Sequence, residues 1–112
     1  MSYGPVRYAP MLSIAAGSIT GSYATLGTVT ESGRIVAFIN DTDAGVLLSF
    51  NASSDNIYLA AGSSQIWDFQ GNATDGQNNF ALSINTVISI KYPSGAPSTG
   101  SVYVEIVYAK PI

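Results

Sequence analysis

The side chains in this sequence best suited to acid–base chemistry are seven carboxylates: Glu31, Asp41, Asp43, Asp55, Asp68, Asp75 and Glu105. A glycosidase would need two of them facing each other across a cleft, one with a raised pKa. Five of the seven sit in turn-rich sequence, where Asp normally bonds its own backbone. The 112 residues include no histidine and no cysteine, which removes imidazole proton transfer, thiol nucleophiles and soft metal ligands. Ser63-Ser64 has no base to activate it, so a Ser-His-Asp triad is ruled out. The expectation is a protein without catalytic residues, without cofactor and without a bound metal.

Two loops and one ring invite other chemistry. Asn40-Asp41-Thr42-Asp43-Ala44-Gly45 clusters oxygens that suit a hard cation. The alternation stops at Gly45, however, and no Glu closes a twelve-residue loop, so an Asx-stabilised hairpin is the favoured reading. Gly71-Asn72-Ala73-Thr74-Asp75-Gly76 bears glycine but lacks the lysine of a phosphate loop. Asn40, Asn51 and Asn72 each begin a glycosylation acceptor triplet, and each triplet reads as a polar turn. Trp67 shares a strand face with Phe69, so a core role is the first expectation; as an exposed platform it would instead hold a glycan.

Composition narrows the class. Only 10% of residues are charged while 46% are hydrophobic, seven of them Tyr. Mean hydropathy is +0.25, against a usual surface that is about 25–35% charged. The excess apolar surface is expected to be covered by other subunits, in a homo-oligomer. A net charge of −3 and a pI of 4.3 would repel a phosphate backbone, so nucleic acid is not an expected partner. No run of 18 apolar residues exists, and a membrane is not expected as a partner either.

The elements that would position these residues are strands. Turn signals recur at short spacing near 31–33, 40–45, 51–56, 60–64, 71–79 and 93–100, with runs rich in Val, Ile, Phe, Tyr and Thr between them. The clearest strand is 101–109, with Val102, Val104, Ile106 and Tyr108 opposed to Tyr103, Glu105, Val107 and Ala109. With one charge on two faces, it should be covered on both. Residues 34–40 read alike, and 87–92 should turn Ile88, Ile90 and Tyr92 inward and Ser89 and Lys91 outward. Shorter strands are expected at 46–50, 56–59 and 65–69, with two more inside 11–20 and 23–30. The expected fold is all-β: an antiparallel two-sheet sandwich, jelly-roll-like, of about eight strands, forming a single domain over 11–112.

Residues 1–10 are expected to form an extended arm. Pro5 and Pro10 each remove a ladder donor and bar a regular central strand. Tyr3, Pro5, Tyr8 and Pro10 are the candidate assembly contacts, suited to a neighbour's groove. The same segment lacks the charged and apolar regions of a secretory signal.

Asn40-Asp41-Thr42-Asp43-Ala44, Leu48-Ser49-Phe50, Leu59-Ala60-Ala61-Gly62-Ser63-Ser64 and Trp67-Asp68-Phe69 occur in order, followed by the 94–104 stretch SGAPSTGSVYV and a closing Tyr108. This series of turns and strands over roughly 35–109 resembles small β-sandwich virion proteins of tailed bacteriophages, those that decorate a capsid or fit at the neck and tail. The resemblance implies a non-enzymatic structural component of a phage particle, made in the host cytoplasm and carried in the virion. Its partners would be other capsid or head–tail components. Capsid decoration is the leading expectation. The alternatives are a neck or tail accessory protein, or a carbohydrate- or receptor-binding β-sandwich module in which Trp67 is the ligand-binding residue.

Overall fold

A computed structural model describes residues 3–68 and 82–111. Nine strands follow in chain order: β1 (Tyr3–Tyr8), β2 (Leu12–Ala15), β3 (Ala24–Thr28), β4 (Ile35–Thr42), β5 (Val46–Ser49), β6 (Ile57–Leu59), β7 (Ser64–Asp68), β8 (Val87–Lys91) and β9 (Gly100–Pro111). A single 3₁₀ turn at Ala16–Ser18 follows β2. All pairings between strands are antiparallel.

The strands form two sheets. One has the order β1-β9-β4-β7, with β2 also on β9; the other has the order β3-β8-β5-β6. β1 and β2 lie end to end along the same edge of the twelve-residue β9: Leu12–Ala15 meet Val104–Ser101, and Val6–Tyr8 meet Ala109–Val107. Taken as one interrupted edge strand, they leave four strand positions per sheet, and the chain crosses between sheets at every connection except β5–β6. That is the jelly-roll order expected from the turn spacing.

Period-2 alternation explains which residues fill the space between the sheets. Val36 and Phe38 of β4 and Val102, Val104 and Ile106 of β9 face Leu48, Ile57, Leu59, Ile88 and Ile90, all buried. Leu12 and Ile14 close one side, and Phe50, Trp67 and Tyr92 pack against the same core from its margins. The expected faces of 34–40, 87–92 and 101–109 therefore hold for these core positions. Ser89 faces outward as expected, yet it is buried. It lies on the outer side of a central strand with Thr25 and Ser49 as its two cross-strand partners, and so short a side chain is shielded by its neighbours.

The segment expected as an arm is hydrogen-bonded to its own chain. An edge strand needs only one ladder, which is the position a proline tolerates. Two residues, Gly4 and Pro5, stand opposite Lys110 alone, where the β1–β9 register shifts. Past Val107, the last β9 residue paired with β4, β9 continues with β1 beside it as a two-stranded ribbon.

Candidate interaction face

The outer surface of the β1-β9-β4-β7 sheet gathers exposed and half-buried apolar side chains from all four strand positions. Register assigns it row by row. Tyr8, Val107, Ile35 and Asp68 lie across one row; Glu105, Ala37 and Ile66 across the next; Ser13, Tyr103, Ile39 and Ser64 across the third. No further layer of described residues lies over this side. Ile66 is 70% exposed and Tyr8 78% exposed, while Ile35, Ala37, Ile39, Tyr103 and Val107 are half-buried by one another. Exposed large apolar side chains gathered on one sheet face mark an interaction surface. The charges on the outward positions of β4, β7 and β9 are Asp41, Asp68 and Glu105, all acidic.

A cleft of about 310 Å³ opens at the edge of this face, lined by Tyr8, Ala9, Met11, Glu105, Ile106 and Val107. Its origin is local. Between the pairs Tyr8–Val107 and Leu12–Val104 the edge strand has one residue more than β9, so the strand bulges at Pro10, which has no N–H to donate. The Ala9 N–H still donates to the Ile106 carbonyl, 3.0 Å. The bulge leaves Met11 52% exposed.

The candidate contacts thus separate. Tyr8 belongs to the face and the cleft, and Pro10 forms the exposed bulge beside them. Tyr3 and Pro5 lie in β1 by backbone, and their side chains are outside the described ones. Ile66 and Met11 were not singled out from sequence, and Glu105 was named there only as one of the carboxylates. The signal was present, because Ile66 alternates with Gln65 and Trp67, but the apolar partners beside it come from β4 and β9.

Trp67 faces inward. Its ring meets Phe38 edge-on, centroids 5.4 Å apart, and Phe50 at 6.0 Å, and its indole N–H donates to Gln65 Oε1, 3.3 Å. A half-buried ring held in an aromatic cluster of this kind serves packing rather than stacking on a sugar. Phe69 and the 71–79 loop lie outside the described residues.

Residues 40–45 end β4 and lead across to β5 in the other sheet, and the side-chain oxygens of Asn40, Thr42 and Asp43 are already engaged. Asn40 Oδ1 accepts from the Thr42 N–H, 3.0 Å, and the Thr42 hydroxyl, 2.6 Å. Asp43 accepts from the Ser98 hydroxyl, from the Ser98 N–H at 2.7 Å and from the Thr99 N–H at 3.3 Å. These donors, the Ser98 hydroxyl first, hold the exposed Asp43 carboxyl down at about 2, from an ordinary 3.8. The expected hairpin is not formed, because β4 and β5 belong to different sheets; the turn is nevertheless Asx-stabilised, and Asp43 ties it to the β8–β9 loop. Because the folded pKa is depressed, this tie contributes stability above the unfolded value and is lost as pH falls through the folded one. Urea unfolding of Asp43→Asn beside the parent should show a deficit between pH 5 and 7 that shrinks as pH falls from about 4 towards 2. A deficit constant over that range would mean the carboxylate charge contributes nothing.

The remaining polar groups are spent on turns or on the second sheet. Asn51 Oδ1 accepts from the Ser49 hydroxyl, 2.9 Å, and from the Ser53 and Ser54 N–H groups, 3.0 and 2.8 Å. Asn40 is 1% exposed, so its triplet is closed to glycosylation in the folded chain. On the outer side of the second sheet Asp55 accepts from the Tyr23 hydroxyl and lies 3.4 Å from Lys91 Nζ, which also stands 4.4 Å above the Tyr23 ring. Among the described residues no three acidic side chains gather where a metal ion could be held. No protein-family model, curated protein or solved structure matches the chain.

Proposed function

We propose that this protein is a non-enzymatic structural component of a phage particle, a decoration subunit that adds to the capsid lattice through the outer face of its β1-β9-β4-β7 sheet. The observation that carries the reading is that face: apolar, uncovered by any further layer of described residues, and centred on β4 and β9, the two strands whose sequence is apolar on both sides. A jelly roll that served only itself would put polar residues there, since an antiparallel sheet with one solvated face alternates apolar with polar. The resemblance of the turn and strand series to small virion proteins is read from the sequence and favours the same class.

Size supports a lattice over an isolated pair. Four strands spaced about 4.8 Å apart and about seven residues long present roughly 450 Å² in projection. A stable two-body interface takes about 800 Å² from each partner. One such contact is weak, and repetition across a symmetric lattice strengthens it through avidity. A two-fold pairing of this face with itself would bring together two surfaces that each carry the exposed carboxylates Glu105 and Asp41, which like-charge repulsion disfavours. Any homo-oligomer therefore forms through another surface.

The test is immunogold labelling of particles purified from a culture that makes the protein, with an antibody raised against the chain. Gold distributed over the head supports decoration, and gold confined to the neck or tail moves the subunit to that site. Particles free of label and of the chain by mass spectrometry would overturn the proposal.

A further inference from the structure

We propose that the cleft at the β1–β2 bulge is a socket for an arginine side chain presented by the partner protein. This rests on the docking role of the sheet face and names the partner's chemistry. The Glu105 carboxylate stands between two exposed side chains, Tyr8 and Met11, with Val107 beside it. It has no cation and no hydrogen-bond donor among the described residues, although a carboxylate amid apolar side chains gains most from one. The other outward charge on β4, Asp41, is exposed and acidic too, so the face selects a basic occupant and disfavours a second copy of itself.

The three kinds of lining match the three parts of an arginine. Met11 and Val107 receive its aliphatic stem, as apolar surface does for long cationic side chains. The Tyr8 ring offers a flat π face on which a guanidinium stacks. Glu105 accepts two parallel N–H bonds, a fork that lysine cannot present. The bulge is what makes room: a regular edge strand would place its side chains in the next row directly beside Glu105 and close the cleft.

The experiment is an amide NMR titration of the whole chain with N-acetyl-arginine-amide at low salt. The control is N-acetyl-citrulline-amide, which has nearly the same shape and no charge. Shifts should cluster at Tyr8, Ala9, Met11 and residues 105–107, with a dissociation constant of about 1 mM, as a fragment of this size allows. Citrulline should bind about tenfold more weakly or worse, and Glu105→Gln should weaken arginine by a similar factor. Tyr8→Ala should reduce binding with Glu105 still present, and both variants alter exposed positions, so unchanged urea melts establish that they are folded. Equal binding of arginine and citrulline, shifts centred on Asp41 or Asp68, or no shifts up to about 20 mM would each overturn the socket. Its failure is separable from that of the particle reading. Labelled virions without arginine binding remove only the socket, whereas arginine binding without label removes only the virion.

Discussion

Replacing Asn40 by Leu lowers the unfolding free energy by about 3–4 kcal/mol. Asn40 is 1% exposed, and its amide binds together two turns far apart in sequence. Nδ2 donates to the carbonyls of Ala44, Leu59 and Ala60 at 2.9, 3.0 and 3.2 Å, while Oδ1 receives Thr42. Leu fills nearly the same volume, so the loss is polar and leaves no cavity. The Leu59 carbonyl and the Thr42 N–H lose buried partners, each at a cost of about 1–3 kcal/mol. The Ala44 and Ala60 bonds are part-buried and water replaces some of their value, and the Thr42 hydroxyl keeps the Ala44 carbonyl at 2.9 Å. Urea unfolding followed by Trp67 fluorescence reads the result, and a loss below about 1 kcal/mol would show that the network is dispensable. Asn40→Asp provides a second check with a sign. The introduced carboxylate would face three carbonyls, so its folded pKa rises above the unfolded value. Its destabilisation should grow as pH rises through about 4 and beyond, the same direction as the Asp43→Asn deficit although the carboxyl responsible is shifted the opposite way.

These two loop residues show where local sequence stops informing. Asp43 was legible as a turn carboxylate bonded to backbone, because Asp in such turns commonly is. The donors it meets, Ser98 and Thr99, are 55 and 56 residues away, and only strand order brings them there. Asn40 looked like the start of a polar turn, but its period-2 position on β4 points it inward beside Phe38 and Thr42. The core strands were plain because Val102, Val104 and Ile106 repeat without interruption. β1 was hidden by Gly4 and Pro5, which argue against a strand until the bulge and the single ladder of an edge are allowed. Trp67 as a packing residue followed from its strand face, while its partners Phe38 and Phe50 belong to β4 and the β5–β6 loop. The interaction face was half visible: both sides of 34–40 and 101–109 are apolar. Their adjacency, which turns two ambiguous strands into a continuous surface with Ile66, is a tertiary fact.

That adjacency makes Ile66→Lys the strongest functional test. Ile66 is 70% exposed on β7, so stability should change by no more than about 0.5 kcal/mol. Docking should fall much further. The substitution puts an ammonium into an apolar contact, where it must be desolvated, and opposite a partner inferred to be basic, where it is repelled. A loss of about 2 kcal/mol, close to 30-fold, is the scale expected when an exposed apolar anchor is replaced by a repelled charge. Co-sedimentation with particles stripped of the subunit measures it, beside a urea melt of the same sample. Ile66→Glu refines the inference: it pays the same desolvation but is attracted to a basic surface, so it should bind better than Ile66→Lys. Equal losses from both charges would leave the face as an apolar contact and remove the basic partner, and unchanged binding by both would remove the face itself. The ordering of the two variants therefore tests the sign of the partner's charge independently of the arginine socket, because Ile66 lies across Ala37 from Glu105 and outside the cleft.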